Sequence, residues 1–155
     1  MALRVGLISD THGLLRPQAL DFLRGSDYLI HAGDIVDAAT LEQLAAIAPL
    51  TSVRGNNDHG PWAQRLPEAT TLTLGGVAIH ILHDLKELAI DPAAHGVRVV
   101  VAGHTHKPAC SERDGVLYVN PGAAGRRRFS LPVSVGELLI DAGQVSVRLI
   151  TLEVA

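Results

Sequence analysis

The chain has 155 residues, of which 47% are hydrophobic, 19% are charged and 3% are aromatic, and its formal net charge is −3. This composition predicts one folded domain over residues 1–155. It argues against a nucleic-acid binder, since it indicates neither a positive field nor a stacking surface. The single cysteine excludes an intramolecular disulfide. Because no apolar run approaches the roughly 20 residues of a membrane helix, and no signal-peptide pattern is present, we expect a cytoplasmic protein without a membrane partner.

The first half of the sequence predicts strands that alternate with helices. Apolar runs at Leu3–Ile8, 28–32 and 50–53 predict three strands. A helix is predicted over 17–24, because Pro17 suits a first turn, where the missing N–H has no partner to lose. A capping box that begins at Thr40 predicts a second helix through residue 48.

The second half is richer in strands. Apolar runs at Val77–Leu82, 97–102 and 116–119 predict three more strands, and a short helix is expected over 86–94. The runs 134–140 and 144–152 flank a turn at 141–143, which is typical of a hairpin. The sequence therefore predicts an α/β or α+β fold in which helices cover sheets.

Five apolar runs end in polar residues that can bind metals. Their ends carry Asp10 and His12, Asp34, Asn56, His83, and His104 and His106. Successive ends are 24, 22, 27 and 21 residues apart, about one strand with its connection each. Since ligands of open α/β sheets bind beyond the carboxyl ends of the strands, we expect these side chains to meet at one sheet edge.

Carboxylates, imidazoles and an amide without a thiolate favour Mn, Fe, Zn, Co or Ni over Ca or Mg alone. Seven candidate ligands are too many for one four-coordinate ion, but they suffice for two ions if one carboxylate bridges them. Two such ions can hold both reacting oxygens of a phosphoryl displacement. Two ions, two aspartates and a bridging hydroxide leave a charge of about +1, which favours an anionic substrate.

The order of these blocks resembles the signature of the calcineurin-like metallophosphoesterases, above all their small single-domain bacterial and archaeal phosphodiesterases. The blocks are Asp10-x-His12, Gly33-Asp34, Gly55-Asn56-x-Asp58, His83 and Gly103-His104-x-His106, followed by the turn Asn120-Pro121-Gly122. The resemblance implies two packed mixed β-sheets flanked by helices, in a four-layer sandwich. It also implies a dinuclear centre of divalent transition metals, manganese first, with iron, zinc, nickel or cobalt as alternatives.

The same resemblance implies how the ligands are divided. Asp10, His12 and His106 would hold one metal, Asn56, His83 and His104 would hold the other, and Asp34 would bridge them. A hydroxide between the two metals would attack phosphorus in line, so that Asp34, Asn56 and His104 surround the reacting centre.

Two positions depart from the family pattern. Many members have a histidine, linked to leaving-group protonation or phosphate contact, where this chain has Asn57. An amide can bind a phosphoryl oxygen but cannot donate a proton at neutral pH, which leaves His59 as an alternative donor. Asp84 replaces the usual glycine, and it is expected either to orient a ligand or to repel substrate.

Three further sets of residues lie beside the predicted ligands. Asp58 is expected to support the ligands or the turn rather than to bind metal. Arg126 begins a triplet of arginines that is either a solvated charge run or a phosphate contact. His31 and His80 lie inside apolar strands, so they are expected to be buried and hydrogen-bonded.

We therefore predict a metal-dependent phosphoesterase that favours phosphodiesters over monoesters. The expected substrate is a phosphate-ester small molecule or a nucleotide-like compound, and nucleic acid is disfavoured by charge. A catalytically weak interaction scaffold is one alternative, because a eukaryotic retromer subunit shares the implied fold. A nuclease or cyclic-nucleotide phosphodiesterase is another. The mean hydropathy of +0.23 is high for a small single domain, which favours a homodimer weakly.

Overall fold

In the computed structural model, which describes residues 2–128 and 130–154, ten strands form two five-stranded mixed sheets. The strands are β1 (Leu3–Ile8), β2 (Tyr28–His31), β3 (Leu50–Ser52), β4 (Ala69–Leu74), β5 (Val77–Leu82), β6 (Val97–Val101), β7 (Ala109–Arg113), β8 (Val116–Asn120), β9 (Ser134–Asp141) and β10 (Gln144–Thr151). The helices are α1 (Pro17–Leu23), α2 (Ala38–Ala45) and α3 (Pro61–Gln64), with 3-10 helices at Leu85–Glu87 and Ala93–His95.

The first sheet has the order β10-β9-β1-β2-β3, and the second has the order β4-β5-β6-β8-β7. Strands β1, β2 and β3 run parallel, as do β5, β6 and β8. The remaining pairs are antiparallel. Each sheet therefore presents the carboxyl ends of three parallel strands at one edge.

The main core lies between the two sheets, where side chains such as Leu7 and Ile79 are fully buried. A second core joins the first sheet to α1 and α2, through Leu23 and Leu44. A third, smaller core covers the outer face of the second sheet, where Leu88 packs beside Val100. These layers confirm the fold of two packed mixed sheets flanked by helices.

Two predicted helices differ from the structure. The cap of α2 is Asp37, not Thr40, because Asp37 is extended and its Oδ1 accepts the Thr40 N–H at 3.0 Å. The helix therefore begins three residues earlier, at Ala38. The predicted helix over 86–94 was wrong: the segment forms two 3-10 helices separated by irregular chain, and these cover the second sheet only in part.

Two strands were missed, although turn signals beside them could have predicted hairpins. Strand β4 joins β5 through Gly75-Gly76, and β7 joins β8 through Asp114-Gly115, with all four turn residues at positive φ. Both dipeptides are typical of two-residue hairpin turns. The predicted hairpin of β9 and β10 is confirmed. Among the described residues, no helix is long and apolar enough to cross a membrane.

Candidate metal centre

The polar strand ends meet where the two sheets face each other, so the site draws on both sheets rather than on one edge. Within the first sheet, the Asp10 N–H donates to the Gly33 carbonyl at 3.0 Å. Within the second, the Gly103 N–H donates to the His83 carbonyl at 2.9 Å. Between the sheets, the His104 N–H donates to Asp10 Oδ2 at 3.0 Å. These bonds bring the predicted ligand loops together.

The backbone at the site is strained. Five candidate ligands have left-handed φ values, namely Asp10 (52°), His12 (48°), Asp34 (58°), His104 (72°) and His106 (64°). Nearby Val36 has a φ of 82° although its side chain is β-branched. Such conformations cost on the order of 1–3 kcal/mol each, and they persist where the surrounding structure enforces them. Their concentration here is typical of a functional site.

Asp10 lies at the centre of a buried group with two histidines. Its Oδ1 lies 3.4 Å from His106 Nε2 and 3.8 Å from His12 Nε2. Asp10 is fully buried, and Oδ1 has no hydrogen-bond partner among the described residues. The other oxygen, Oδ2, accepts bonds from Ser9 Oγ and from the His104 N–H. One oxygen is thus held in place while the other faces the imidazoles.

A second group adjoins the first and includes Asp34. Its Oδ2 lies 3.3 Å from His83 Nε2 and 3.5 Å from His12 Nε2. His83 Nε2 also lies 3.8 Å from Asp10 Oδ1. Asp34 Oδ2 therefore lies between His12, which belongs to the first group, and His83, which belongs to the second. We call Asp10, His12, Asp34, His83 and His106 the ligand cluster.

The donor atoms of the ligand cluster fit divalent metal ions. Two sets, Asp10 with His12 and His106, and Asp10 with Asp34 and His83, each keep one ligand atom per residue within 4.8 Å of the others. Three buried atoms of the cluster, Asp10 Oδ1, His12 Nε2 and His83 Nε2, have no hydrogen-bond partner within residues 2–128 and 130–154. His83 Nδ1–H donates to the Ala32 carbonyl at 2.8 Å, which turns Nε2 towards the carboxylates. Potential metal-ligand atoms that have no hydrogen-bond partner and converge in this way indicate a cation site.

The charges of the cluster lead to the same conclusion. Burial would raise the pKa of Asp10, but the His106, His12 and His83 imidazoles and the Ser9 hydroxyl hold it below its usual range. Burial would lower the pKa of His83, but Asp34, Asp10 and the Ala32 carbonyl raise it to about 9. The carboxylates therefore stay ionised at neutral pH and favour positive charge beside His83 Nε2.

Two predicted ligands lie at the exposed side of the site. His104 Nδ1 and Asn56 Oδ1 are 3.2 Å apart, and the His104 ring meets the His83 ring edge-on with centroids 5.2 Å apart. Both residues are exposed, unlike the ligand cluster. The structure thus brings all seven predicted ligands together. The five residues of the ligand cluster are buried or half-buried, and the other two are exposed.

Asp58 organises the loop that carries Asp34. Its Oδ2 accepts the N–H groups of Asp34 and Gly55, and its Oδ1 accepts those of Ile35 and Val36, at 2.8 to 3.0 Å. A carboxylate that accepts four backbone donors fixes the whole turn. This supporting function agrees with the sequence expectation, but the number of contacts could not be read from the sequence.

Asn57 donates two hydrogen bonds to the Asp34 carboxylate. Its backbone N–H donates to Asp34 Oδ1 at 2.9 Å, and its Nδ2 donates to Asp34 Oδ2 at 3.0 Å. These bonds, together with the His83 imidazole, outweigh burial and lower the pKa of Asp34. The amide that was expected to contact substrate therefore positions a candidate ligand.

His31 is buried and hydrogen-bonded, as expected, and it connects two ligand loops. The Gly33 N–H donates to His31 Nδ1 at 3.0 Å, so the ring proton lies on Nε2 and points to Thr11 Oγ1, also at 3.0 Å. Burial lowers the pKa of His31 to about 4. Protonation of Nδ1 would oppose the Gly33 N–H, which explains why the neutral ring is favoured. The sequence did not indicate this positioning contact.

Glycines let the loops approach one another closely. At Gly33 the φ is 102°, and a Cβ would lie 2.8 Å from His83 Nδ1. At Gly55 a Cβ would overlap the Asp34 carboxylate. The glycine that precedes a predicted ligand in each of these blocks is therefore required by packing around the ligand cluster.

The remaining predicted residues lie around the site. The Asp84 carboxylate caps the first 3-10 helix, and its Oδ2 lies 3.8 Å from His104 Nε2. His59 is exposed in a cavity of about 490 Å³ that also reaches Asn56. Arg126 is exposed, and it follows Gly125, which packs against the Thr11 backbone between Asp10 and His12. The structure thus places Asp84 beside a candidate ligand, and the contact of Arg126 with a phosphate stays a prediction.

Comparisons with known proteins agree with this geometry. The profile of the calcineurin-like phosphoesterase superfamily domain matches residues 3–143. A probable metallophosphoesterase of Methanocaldococcus jannaschii is 30% identical over 162 aligned positions, which span 96% of this chain and 81% of the relative. The phosphodiesterase YfcE of Escherichia coli is 28% identical over 160 positions, spanning 84% of each chain.

Solved structures share the fold. An archaeal phosphodiesterase superposes with a TM-score of 0.81 at 23% identity, covering 97% of this chain and 100% of its own. Vacuolar protein sorting 29 from Cryptosporidium parvum gives a TM-score of 0.77 at 21% identity, with coverage of 96% and 97%.

The fold and the metal-competent site define a metallophosphoesterase-type protein. The chain belongs to the calcineurin-like phosphoesterase superfamily, as the five sequence blocks predicted. Its curated relatives are small archaeal and bacterial phosphoesterases that match over most of the chain.

Proposed function

We propose that the protein is a phosphodiesterase that requires two divalent transition-metal ions, with manganese preferred over iron, zinc, nickel or cobalt. The observation that carries this proposal is the ligand cluster, in which the buried Asp10 and Asp34 face three imidazoles. The preference for diesters is supported by the phosphodiesterase relative from Escherichia coli.

The proposed division of ligands follows the two sides of the cluster. Asp10, His12 and His106 serve one ion, and Asn56, His83 and His104 serve the other. Asp34 serves both, which is supported by the position of its Oδ2 between His12 and His83. Asp10 is an alternative bridging ligand, since its Oδ1 faces imidazoles of both sides.

Ions bound as such a pair lower the pKa of water and neutralise charge on phosphoryl oxygens. The protein's own groups hold the reactants in place. Asn57 keeps the Asp34 carboxylate oriented, and Asp58 holds its backbone. In this proposal His104, which is exposed and next to Asn56, holds the second ion on the side that is open to the substrate.

The substrate in this proposal is a small phosphodiester or a nucleotide-like compound. The net charge of −3 disfavours a nucleic acid, because counterion release would not drive binding. We further propose that residues 1–155 act as one domain, that the protein works in the cytoplasm, and that two copies can form a homodimer.

The proposal is tested with chelator-stripped protein, to which Mn²⁺ is added back. The substrate is bis(4-nitrophenyl) phosphate, and 4-nitrophenyl phosphate is the matched monoester. We expect diester turnover that requires metal and that Asp34→Asn reduces by about 10²- to 10³-fold, because the variant removes a charge that holds the ions and so weakens the electrostatic stabilisation of the transition state. Asp141→Asn, an exposed aspartate at the end of β9, is the matched control and should keep full activity.

Three outcomes would contradict the proposal. Absence of turnover with every transition metal, from protein shown to bind two ions, would favour an interaction scaffold. Faster hydrolysis of the monoester would make the protein a phosphomonoesterase. Cleavage of single-stranded RNA or DNA at a higher kcat/KM than small diesters would make it a nuclease.

A further inference from the structure

A second cavity, of about 460 Å³, lies beside the candidate metal centre on the outer face of the second sheet. Strands β6 and β8 contribute Val100 and Tyr118 to it, and the edge strand β7 contributes Ala109 and Ser111. We call this the side cavity. It is left open because the 3-10 helix at Leu85–Glu87 covers only part of the face.

The side cavity adjoins the candidate metal centre. His104 and Asp84 line it, and the same two residues line a smaller cavity of about 190 Å³ that reaches Asn56 and His83. One ester group of a phosphate held by the candidate ligands would therefore lie close to His104 and Asp84, which also line the side cavity.

The side cavity is suited to an aromatic group. Its size is within the range of small-molecule sites, and most of the surface exposed in it is apolar, with contributions from Val100, Ala102 and Leu85. Polar residues, including Lys86 and Lys107, also line it. Tyr118 offers an aromatic ring, which the Arg113 guanidinium holds from 4.4 Å through a cation–π contact. A methyl or ethyl ester would leave most of this volume unfilled.

We propose that the side cavity binds one aromatic ester group of the substrate, of the size of a nucleobase. This inference rests on the phosphodiesterase proposed above and narrows its substrate class to aryl or nucleoside-like phosphodiesters. Ser111 places a hydroxyl in the cavity, where it can bond a ring heteroatom.

The test compares the binding of diphenyl phosphate and dimethyl phosphate to Mn²⁺-loaded protein by calorimetry. Both are singly charged diesters, so the difference in affinity measures what the two phenyl groups contribute, and the variants below show how much of it comes from the side cavity. We expect diphenyl phosphate to bind about 10- to 100-fold more tightly, because several additional apolar carbons are buried. Ala109→Phe should fill the side cavity and reduce this ratio to near one.

The matched control is Cys110→Phe, which adds a ring of the same size to the same exposed strand. Successive strand residues point to opposite faces, so this ring lies outside the side cavity. The ratio should be unchanged in this control. Ser111→Phe provides a second filling variant if Ala109→Phe does not fold.

The outcomes separate the two proposals. Turnover of bis(4-nitrophenyl) phosphate with a binding ratio near one in the wild type would overturn the side-cavity proposal and leave the activity intact. A high ratio that Ala109→Phe and Ser111→Phe do not lower would also overturn it. A high ratio that the filling variants abolish, in a protein without turnover, would support the cavity and contradict the activity.

Discussion

The ligand cluster and the side cavity meet at His104 but are built in opposite ways. In the ligand cluster, charged side chains are buried, backbone φ values are strained, and nearly every loop is held by hydrogen bonds. In the side cavity, apolar side chains of a sheet face remain uncovered, and one wall is an edge strand whose five residues are all exposed.

This difference separates chemistry from selectivity. The geometry around Asp10 tolerates little change, because the orientation of each donor depends on two or three neighbours. The side cavity depends on which side chains the edge strand carries and on how far the covering segment extends. We therefore expect substitutions in the ligand cluster to abolish turnover and those in the side cavity to change substrate preference.

The largest expected effect concerns the leaving group. The Asn57 side chain is hydrogen-bonded to Asp34, and an amide does not act as an acid at neutral pH. No side chain is therefore assigned to protonate the leaving oxygen. Alkyl leaving groups should then react slower than nitrophenolate by at least the roughly 10²–10⁴-fold that a general acid contributes. The measurement is kcat across 4-nitrophenyl, phenyl and alkyl diesters.

A rate that hardly changes with leaving-group pKa would show that a donor exists. His59→Gln would then test the exposed imidazole near Asn56, and His95→Gln, an exposed histidine at the end of a 3-10 helix, is its control.

The next effect tests how far the cluster depends on its support. Asp58→Asn replaces one acceptor oxygen by an amide that faces backbone N–H groups. We expect metal affinity to fall by about 10- to 100-fold and stability by about 2–4 kcal/mol. Calorimetric metal titration and urea unfolding measure the two losses.

Asp37→Asn is the matched control, because Asn caps a helix as well as Asp does. If Asp37→Asn and Asp58→Asn lose metal affinity and stability equally, the backbone hydrogen bonds of Asp58 do not specifically support the ligand cluster.

A third prediction concerns pH. His31 has a pKa of about 4 in the fold, below its ordinary value of 6.5, so the unfolded chain takes up the proton first as pH falls. Its stabilising contribution is complete above pH 6.5 and is lost as pH falls towards 4, which amounts to about 3 kcal/mol. Urea unfolding at several pH values should show this loss in the wild type and a weaker loss in His31→Gln.

His80→Gln provides the comparison for this experiment. His80 is also buried, its pKa is also lowered by burial, and its Nδ1 bonds Thr71 Oγ1, but it lies in the second sheet away from the ligand loops. If His31→Gln and His80→Gln lose the same amount of pH dependence, the contact that His31 makes between the ligand loops contributes no more to stability than an ordinary buried histidine does.

The smallest effect concerns strain at the edge of the cluster. Val36 is 43% exposed with a φ of 82°, so Val36→Gly should relieve strain and stabilise the fold by about 1 kcal/mol. The melting temperature should rise by about 2–4 °C. Leu139→Gly, at a strand position that is 37% exposed, should lower it, because glycine weakens an extended strand. A fall in both variants would show that the backbone at Val36 is unstrained.

The two regions also differ in how well the sequence predicted them. Asp10, Asp34 and His83 directly follow or nearly follow apolar runs, so their positions at strand ends were predictable from period and spacing. Strand β7, which forms a wall of the side cavity, was missed, because Ala109–Arg113 has neither apolar alternation nor a buried face. Its turn, Asp114-Gly115, carried the better signal.

What the sequence by itself determined was the set of candidate ligand residues, the order along the chain of the strands that carry them, and the superfamily. Local patterns suffice for this, because a strand end and a side-chain type are properties of a few neighbouring residues. The joining of two sheets at one site, the four backbone bonds of Asp58 and the tautomer of His31 were decided only by tertiary structure. The bond between the sheets, three of the four Asp58 bonds and the His31–Thr11 bond join residues 20 or more positions apart in the chain. Contacts over such separations are set by packing of the sheets rather than by local propensity.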